Sequence, residues 1–208
     1  YKKFIGSHQR AWLRNRLGVQ HAVDLQWCLR SFSHQPGFDP LGALFDIEEA
    51  FPRCKRSGLR RIKERMGFGE DFRNWSENLH RDLKVYLAVK GIIFVGHDML
   101  HGLQQGCAQS TLDLPLALEV FVQHLFYVFR SAQLSVSLRL FADDLSLAAR
   151  IAKADKDRLR PFVIVLKEGR RARGCIGAAF ATPKIVLLLR EGVLNEQDTA
   201  YLIENDVA

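Results

Sequence analysis

The chain has 208 residues and a formal net charge of +7, from 30 Lys and Arg against 23 Asp and Glu. Its 48% hydrophobic content excludes a disordered chain, and its length fits one compact unit when a domain spans roughly 100–200 residues. A basic chain of ordinary globular composition favours a polyanionic partner, nucleic acid before an anionic membrane surface. Apolar runs such as Ile185 to Leu189 are far shorter than the roughly 20 residues of a membrane span, so we expect no membrane partner.

Cysteine usage indicates a reducing environment. The four cysteines, Cys28, Cys54, Cys107 and Cys175, form no CxxC pair, so the sequence encodes neither a zinc ribbon nor a dense disulfide framework. The basic N-terminal segment lacks the apolar stretch of a secretory signal. We therefore expect an intracellular protein, nuclear or cytoplasmic if it is eukaryotic.

The first half of the chain is predicted to be mainly helical, with one early strand. Its predicted elements are helices at 9–17 and 21–31, a Pro- and Gly-rich loop at 33–40, a buried strand at 41–47, helices at 55–66 and 70–81, and a hairpin that turns at Gly91. The strand at 41–47 runs directly into acidic residues, so carboxylates are expected at its end.

The second half alternates long helices with strands. A glycine-bearing loop at 101–109 precedes an apolar helix at 110–130, which Ser110 or Thr111 can cap and which tolerates Pro115 near its first turn. Residues 135–150 alternate apolar and polar side chains around an Asp-Asp pair, which predicts a hairpin with acids at its tip. A basic helix at 155–173 and one or two strands within 176–189 complete the chain. The pattern predicts an α+β fold with an antiparallel sheet backed by helices.

Three carboxylates mark the candidate chemistry of the chain. Asp46 and Asp143 are 97 residues apart, and Asp144 follows directly, each at the end of an apolar strand. Adjacent strands would bring these side chains together, and converging carboxylates repel one another unless a hard cation such as Mg²⁺ neutralises them. Two such ions can stabilise the attacking and leaving oxygens of a phosphoryl displacement. Taken alone, Asp-Asp is also a common polar turn.

The motifs around these acids resemble those of reverse transcriptases. FADD at 141–144 resembles motif C, FDIEEAF at 45–51 resembles motif A, and HGLQQGCAQS at 101–110 resembles motif B in its QG form. AFATPKIVLLL at 179–189 resembles motif D, and GFG at 67–69 is similar to a segment of non-LTR (LINE-type) retrotransposon and group II intron enzymes. The motifs occur in the family's order over residues 41–190. The resemblance implies a polymerase palm that acts on an RNA template, a DNA primer and dNTPs.

The resemblance also assigns roles to individual residues. It implies that Asp46 and Asp143 bind two Mg²⁺ ions, with Mn²⁺ as a possible substitute, that Asp144 supports the cluster and that Ile47 lends a backbone carbonyl. Phe51 matches the aromatic residue that blocks a ribose 2′-hydroxyl, although a core Phe after a strand is an equally simple interpretation. The same resemblance places Gln105 and Gly106 against the nascent base pair, and Lys184 at the position of a general acid for the pyrophosphate leaving group.

Some positions depart from the family pattern. Pro52 stands where motif A usually has Asp, Ser110-Thr111 replaces the usual Ser-Pro of motif B, and Asp113 interrupts an apolar stretch. We expect residues 1–40 to be partial fingers, 41–191 the palm and 192–208 a C-terminal tail without a thumb. Two alternatives stay open: a degenerate, non-catalytic remnant that at most binds nucleic acid, and a different palm enzyme such as a nucleotide cyclase, which the QG loop disfavours.

Overall fold

The computed structural model describes residues 4–9, 11, 18–153, 155, 157–177, 179–189 and 194–205. Most of the predicted helix at 9–17 lies outside these residues. The elements, in chain order, are α1 (Gly18–Ser33), β1 (Phe38–Asp46), α2 (Ala50–Arg53), α3 (Arg56–Arg65), α4 (Glu70–Asn78), β2 (Lys84–Val89), β3 (Ile92–Asp98), α5 (Ala108–Ser131), β4 (Val136–Phe141), β5 (Asp144–Ala152), α6 (Arg160–Ile176), a 3₁₀ turn (Thr182–Lys184), β6 (Val186–Leu189) and α7 (Glu196–Glu204). The protein is α+β, as the sequence predicts.

A four-stranded antiparallel sheet forms the centre of the fold, with the strand order β4-β5-β1-β6. Alternate residues of β1 point to opposite faces, so Leu41, Ala43 and Phe45 enter one buried core with side chains of α5 and α6. Phe45 stacks on Phe162 of α6 with ring centroids 5.5 Å apart. Helices α5 and α6 thus back one face of the sheet, and the alternate residues of β1 point to the other face.

Helix α1 packs on that second face. Gly42 permits the close approach, because an added Cβ would lie 3.1 Å from Leu29 of α1 and 3.1 Å from Leu188 of β6. Asp24 of α1 also accepts a 3.2 Å hydrogen bond from Arg139 of β4. The helix therefore lies over the face that carries Asp46 and Asp144, which are direct partners in the β1–β5 register.

Strand β1 begins three residues earlier than the sequence predicts, at Phe38, so the end of the predicted loop at 33–40 is wrong. Pro40 is compatible with the strand because β1 pairs with β5 over its whole length but with β6 only from Leu41 to Leu44. Because Pro40 lies outside the segment that pairs with β6, its missing N–H removes no hydrogen bond to β6.

Helix α5 also begins earlier than predicted, at Ala108 with Cys107 at the N-cap, so Ser110 and Thr111 do not cap it. Pro115 consequently lies inside the helix rather than near its first turn. By length and composition alone α5 could cross a membrane, but 61% of its most apolar window is buried in this fold. Such burial is typical of the core helix of a globular domain.

The remaining predicted segments agree with the structure to different degrees. Within 176–189 the prediction of one or two strands is confirmed as a single strand, because α6 extends to Ile176 and residues 182–184 make a 3₁₀ turn. The predicted tail at 192–208 contains α7, which Asn195 and Asp198 begin with a capping box. The predicted hairpin around Gly91 is confirmed as β2 and β3, which form a separate two-stranded sheet; every residue of β2 is exposed, as are residues 92–96 of β3.

Candidate active site

Three carboxylates lie together at one end of the central sheet. Asp46 is the last residue of β1 and Asp144 is the first of β5, and the two are direct Cα partners on the same face of the sheet. Asp143 lies in the loop before β5, and its carbonyl oxygen accepts a 3.1 Å hydrogen bond from the Ile47 amide. The structure thus brings together acids that are 97 residues apart in sequence.

The tip of the β4–β5 hairpin is a two-residue turn. Phe141 pairs with Asp144, which leaves Ala142 and Asp143 as the loop residues. Ala142 has a φ of +59°, the sign that the tight hairpin turns require at their first position and that glycine adopts most easily. An L-residue here is strained by about 1–2 kcal/mol, so the surrounding structure holds the acidic tip in place.

Lys184 reaches the carboxylates from the 3₁₀ turn. Its Nζ lies 2.8 Å from Asp46 Oδ2, and two-thirds of the side chain is exposed. The turn is anchored close by, because the Ala181 amide donates a 2.9 Å hydrogen bond to the Asp46 carbonyl and Phe180 forms a β-bridge with Ile47. Backbone contacts therefore fix the approach of the lysine to Asp46.

The electrostatics of the site reflect this crowding. Partial burial and the negative charges of Asp143 and Asp46 raise the pKa of Asp144, and only Lys184 opposes that shift. The hydrogen bond to Asp46 and the surrounding carboxylates raise the pKa of Lys184. The site is an anionic cluster whose repulsion is partly offset by one nearby ammonium group.

The donor chemistry of the cluster suits Mg²⁺, which prefers oxygen ligands and typically takes one or two protein carboxylates, with water and substrate phosphates completing its shell. Asp46 and Asp144 face each other across neighbouring strands and Asp143 is adjacent. Within the described residues, however, no group of three or more His, Cys, Asp or Glu side chains is arranged so that it could hold a metal ion. The carboxylates offer suitable ligand atoms, and a metal bound here would need its further ligands from water or phosphate.

Two further predicted residues follow Asp46 directly. The Ile47 side chain is 2% exposed and belongs to the core, while its amide bonds the hairpin tip. Phe51 lies in the short helix α2, partly buried against the core, and its carbonyl accepts a 2.7 Å hydrogen bond from the Leu103 amide. The segment after Asp46 is thereby joined to the loop that precedes α5.

Gln105 and Gly106 lie in that loop, in an exposed turn directly before α5. Gly106 has a φ of +83° and an added Cβ would meet no atom within 4 Å, so the space beside it is open. At Gly102, by contrast, a Cβ would lie 2.1 Å from the Pro52 carbonyl oxygen. The loop is packed tightly at Gly102 and is accessible at the two predicted site residues.

Sequence reasoning missed Arg56, which holds this loop from the first turn of α3. Its guanidinium donates to the carbonyl oxygens of Gly102 at 2.7 Å, Met99 at 2.9 Å and His101 at 3.3 Å. No local pattern marks an arginine that binds backbone more than 40 residues away, so only the fold reveals this contact.

A cleft of about 640 Å³ opens beside the carboxylates, between α1 and the sheet. Asp46, Asp144 and Lys184 lie along it with apolar residues of α1 and β6, such as Leu25 and Leu188. A ligand-sized space with charged groups along an apolar wall is typical of a binding site. No local pattern predicts this cleft, because its walls come from four segments that are distant in sequence.

Comparison with solved structures shows what this fold resembles. The telomerase of Candida tropicalis in complex with the TWJ fragment of telomeric RNA matches with a TM-score of 0.64 at 13% identity, over 88% of this chain and 30% of that chain. The telomerase of Candida albicans in complex with the same kind of fragment matches with a TM-score of 0.64 at 13% identity, over 93% of this chain and 33% of that chain. Apo telomerase from Candida tropicalis gives a TM-score of 0.61 at 13% identity, over 88% and 33%.

This chain therefore spans about a third of the length of those telomerases. No family model matches the sequence, and no curated protein matches it. At this identity the likeness establishes the fold alone, which this chain shares with part of each of those telomerases.

Proposed function

We propose that this chain is the palm, with part of the fingers, of an RNA-directed DNA polymerase of the non-LTR retrotransposon and group II intron class. The observation that carries the proposal is the direct pairing of Asp46 with Asp144 at one end of the sheet, with Asp143 beside them at the hairpin tip. The substrates are a DNA primer on an RNA template and a deoxynucleoside triphosphate. The reaction extends the primer 3′-hydroxyl by one nucleotide.

Asp46 and Asp143 are the residues that would hold two Mg²⁺ ions, or Mn²⁺, with Asp144 supporting them. Bound there, the metal would neutralise charge on the attacking and leaving oxygens of the displacement. Lys184 must first release Asp46, whose Oδ2 it binds at 2.8 Å. A lysine ammonium group is protonated at neutral pH, so the released Lys184 can donate a proton to the pyrophosphate leaving group.

Neighbouring residues would select and position the nucleotide. Phe51 would exclude a ribose 2′-hydroxyl by steric contact, and its backbone bond to Leu103 supports this role by fixing α2 against the loop. Gln105 and Gly106 would lie against the nascent base pair, where the open space beside Gly106 allows close approach of a base.

A second candidate function is a non-catalytic polymerase-like fold that binds nucleic acid. The observation that favours it is the ion pair between Lys184 and Asp46, which neutralises a carboxylate that the enzyme would need for metal. Pro52, which replaces the usual acid of motif A, agrees with this alternative.

Primer extension tests the two candidates against each other. We expect the chain to extend a DNA primer on a homopolymer RNA template with Mg²⁺ or Mn²⁺, and we expect Asp143→Asn to abolish extension without lowering the melting temperature. Asp71→Asn, which changes an exposed carboxylate of α4, is the matched control and should retain activity. Unchanged extension by Asp143→Asn overturns the proposal, and oligonucleotide binding without any extension establishes the non-catalytic alternative.

A further inference from the structure

A second, strongly basic cleft lies between the first turn of α3, the end of α6 and the loop before α5. Its volume is about 960 Å³. Five cationic side chains line it, from Arg53, Lys55, Arg56, Arg170 and Arg173, together with His101. None of the described residues that line it is acidic. We call this feature the basic cleft, and its positive charge is a concentrated part of the chain's net charge of +7.

Two of these cations are fixed in place without being neutralised. Lys55 Nζ donates to the Gly174 carbonyl oxygen at 2.6 Å, and Arg56 donates to three carbonyl oxygens of the loop at 99–102. A carbonyl oxygen accepts a hydrogen bond but carries no full negative charge, so both side chains keep their unit charge. Burial lowers the pKa of Arg56, which nonetheless stays charged, as arginine does in proteins.

Arg53 behaves differently and does not add to the attraction. It forms ion pairs with Glu48 at 3.1 Å and Glu49 at 2.9 Å. Those carboxylates stand beside Arg53 and compensate its charge locally. The uncompensated charge of the basic cleft therefore comes chiefly from Lys55 and Arg56 on one wall and from Arg173 on the other.

The backbone contributes partial charges of both signs, because the cleft lies at the N-terminus of α3 and at the C-terminus of α6. Helix α3 has ten residues, and no side chain caps its N-terminus, which begins at Arg56 on the wall of the cleft. The unpaired N–H groups of a helix's first turn carry a partial positive charge. Gly174 and Gly177 line the cleft at the end of α6, and Gly177 is tightly packed there, since an added Cβ would lie 1.9 Å from the Arg53 carbonyl oxygen.

We propose that the basic cleft binds the phosphodiester backbone of a nucleic acid strand. Its cations come from separate segments along an open cleft at the upper end of ligand-pocket volumes, which suits a chain of phosphates better than a single enclosed anion. Contacts of this kind are sequence-independent and weaken with salt, because each one releases bound counterions. The proposal goes beyond the proposed function, since binding at the cleft requires no catalysis at Asp46.

The test compares two double variants of the 208-residue chain that remove equal charge. Lys55→Gln with Arg173→Gln removes two cations of the basic cleft, whereas Arg65→Gln with Lys153→Gln removes two exposed cations elsewhere. Binding of a fluorescent single-stranded oligonucleotide is followed by anisotropy from 50 to 300 mM KCl, and thermal unfolding confirms that both variants fold.

We expect the cleft variant to bind about 25-fold more weakly at 0.1 M salt, with the slope of log K against log salt reduced by about 1.4, as two lost single-strand contacts predict. The control should change affinity by less than about threefold, because distant exposed charges are screened. Equal losses in the two variants, or no loss in either, overturn the proposal.

A parallel experiment distinguishes a nucleic acid strand from a free polyphosphate as the ligand of the basic cleft. Calorimetric titration with sodium tripolyphosphate should show no stoichiometric binding that depends on Lys55 and Arg173. Tripolyphosphate binding that is lost in the cleft variant, with unchanged oligonucleotide affinity, overturns the proposal in favour of a free polyphosphate ligand. The cleft variant keeps Asp46, Asp143 and Asp144, so failure of the basic cleft is measured as oligonucleotide affinity in one variant and failure of catalysis as primer extension in another.

Discussion

Replacing Asp113 by Asn should destabilise the protein strongly, because this acid is the counter-ion of a buried lysine. Asp113 is 0% exposed and Lys63 is 2% exposed, with Nζ 2.8 Å from Oδ1. Ser76 donates to Asp113 Oδ2 at 3.2 Å and Gln109 to Oδ1 at 2.7 Å. These side chains join α3, α4 and α5, and α5 directly follows the loop that carries Gln105 and Gly106.

The magnitude follows from the burial of Lys63. Burial lowers the pKa of this ammonium, and the charge and hydrogen bond of Asp113 counteract part of the shift. Removing one partner of a buried ion pair leaves an uncompensated charge and costs about 3–5 kcal/mol. In a chain of this length each kcal/mol lowers the melting temperature by about 2–4 °C, so the expected fall is about 6–20 °C.

Thermal and urea unfolding of a double-mutant cycle measure the effect. Asp113→Asn and Lys63→Met should each cost about 3–5 kcal/mol, whereas the double variant should cost about as much as one of them, a coupling of about 3 kcal/mol. Asp71→Asn, at an exposed site on α4, should change the free energy of unfolding by less than about 0.5 kcal/mol. Additive single effects, or a cost below about 1 kcal/mol for Asp113→Asn, would refute the reasoning.

The loop before α5 and the N-terminal segment provide two more predictions. Gly102→Ala brings a methyl group against the Pro52 carbonyl oxygen and should lower the free energy of unfolding by about 2–5 kcal/mol. Gly106→Ala, where φ is also positive but the surrounding space is open, should lower it by only about 1–2 kcal/mol. Similar losses of stability in the two variants would contradict the tight packing at Gly102. Burial opposes the ionisation of Glu119. The hydrogen bonds that its carboxylate accepts outweigh the effect of burial, so the pKa of Glu119 is lowered. Its stabilisation is therefore complete above the ordinary pKa of 4.5 and is lost as the pH falls below that value. Acid titrations should show Glu119→Gln less stable at neutral pH and the difference shrinking toward acid; a constant difference would exclude this linkage.

Local patterns predicted most elements because they depend on neighbouring residues. The alternation of apolar and polar residues around FADD predicts the β4–β5 hairpin independently of the rest of the chain. Gly67 and Gly69 lie between α3 and α4, as expected of glycines that separate two helices. The capping pair of Asn195 and Asp198 was a readable signal for α7 that the sequence interpretation overlooked.

Long-range pairs were not predictable from such patterns. Asp113 interrupts an apolar stretch and departs from the family pattern, yet its partner Lys63 lies 50 residues away in a different helix. The bond between Lys184 and Asp46 spans 138 residues. A sequence predicts which side chains carry charge, but their partners depend on how the helices pack on the sheet.

The clustering of the three carboxylates does not stabilise the fold, so a chemical role explains it better than a structural one. The raised pKa of Asp144 means that folding disfavours its charged form, so this residue lowers stability as the pH rises above the ordinary value of 3.8. Partial burial is the main cause of that shift and the charges of Asp143 and Asp46 add to it, so asparagine at these two positions would relieve the repulsion without loss of shape. Lys184 offsets only part of it, since its side chain is two-thirds exposed and screened by water. Three acids that repel one another, one of them on a strained turn, are the arrangement that the proposed metal-binding role would require.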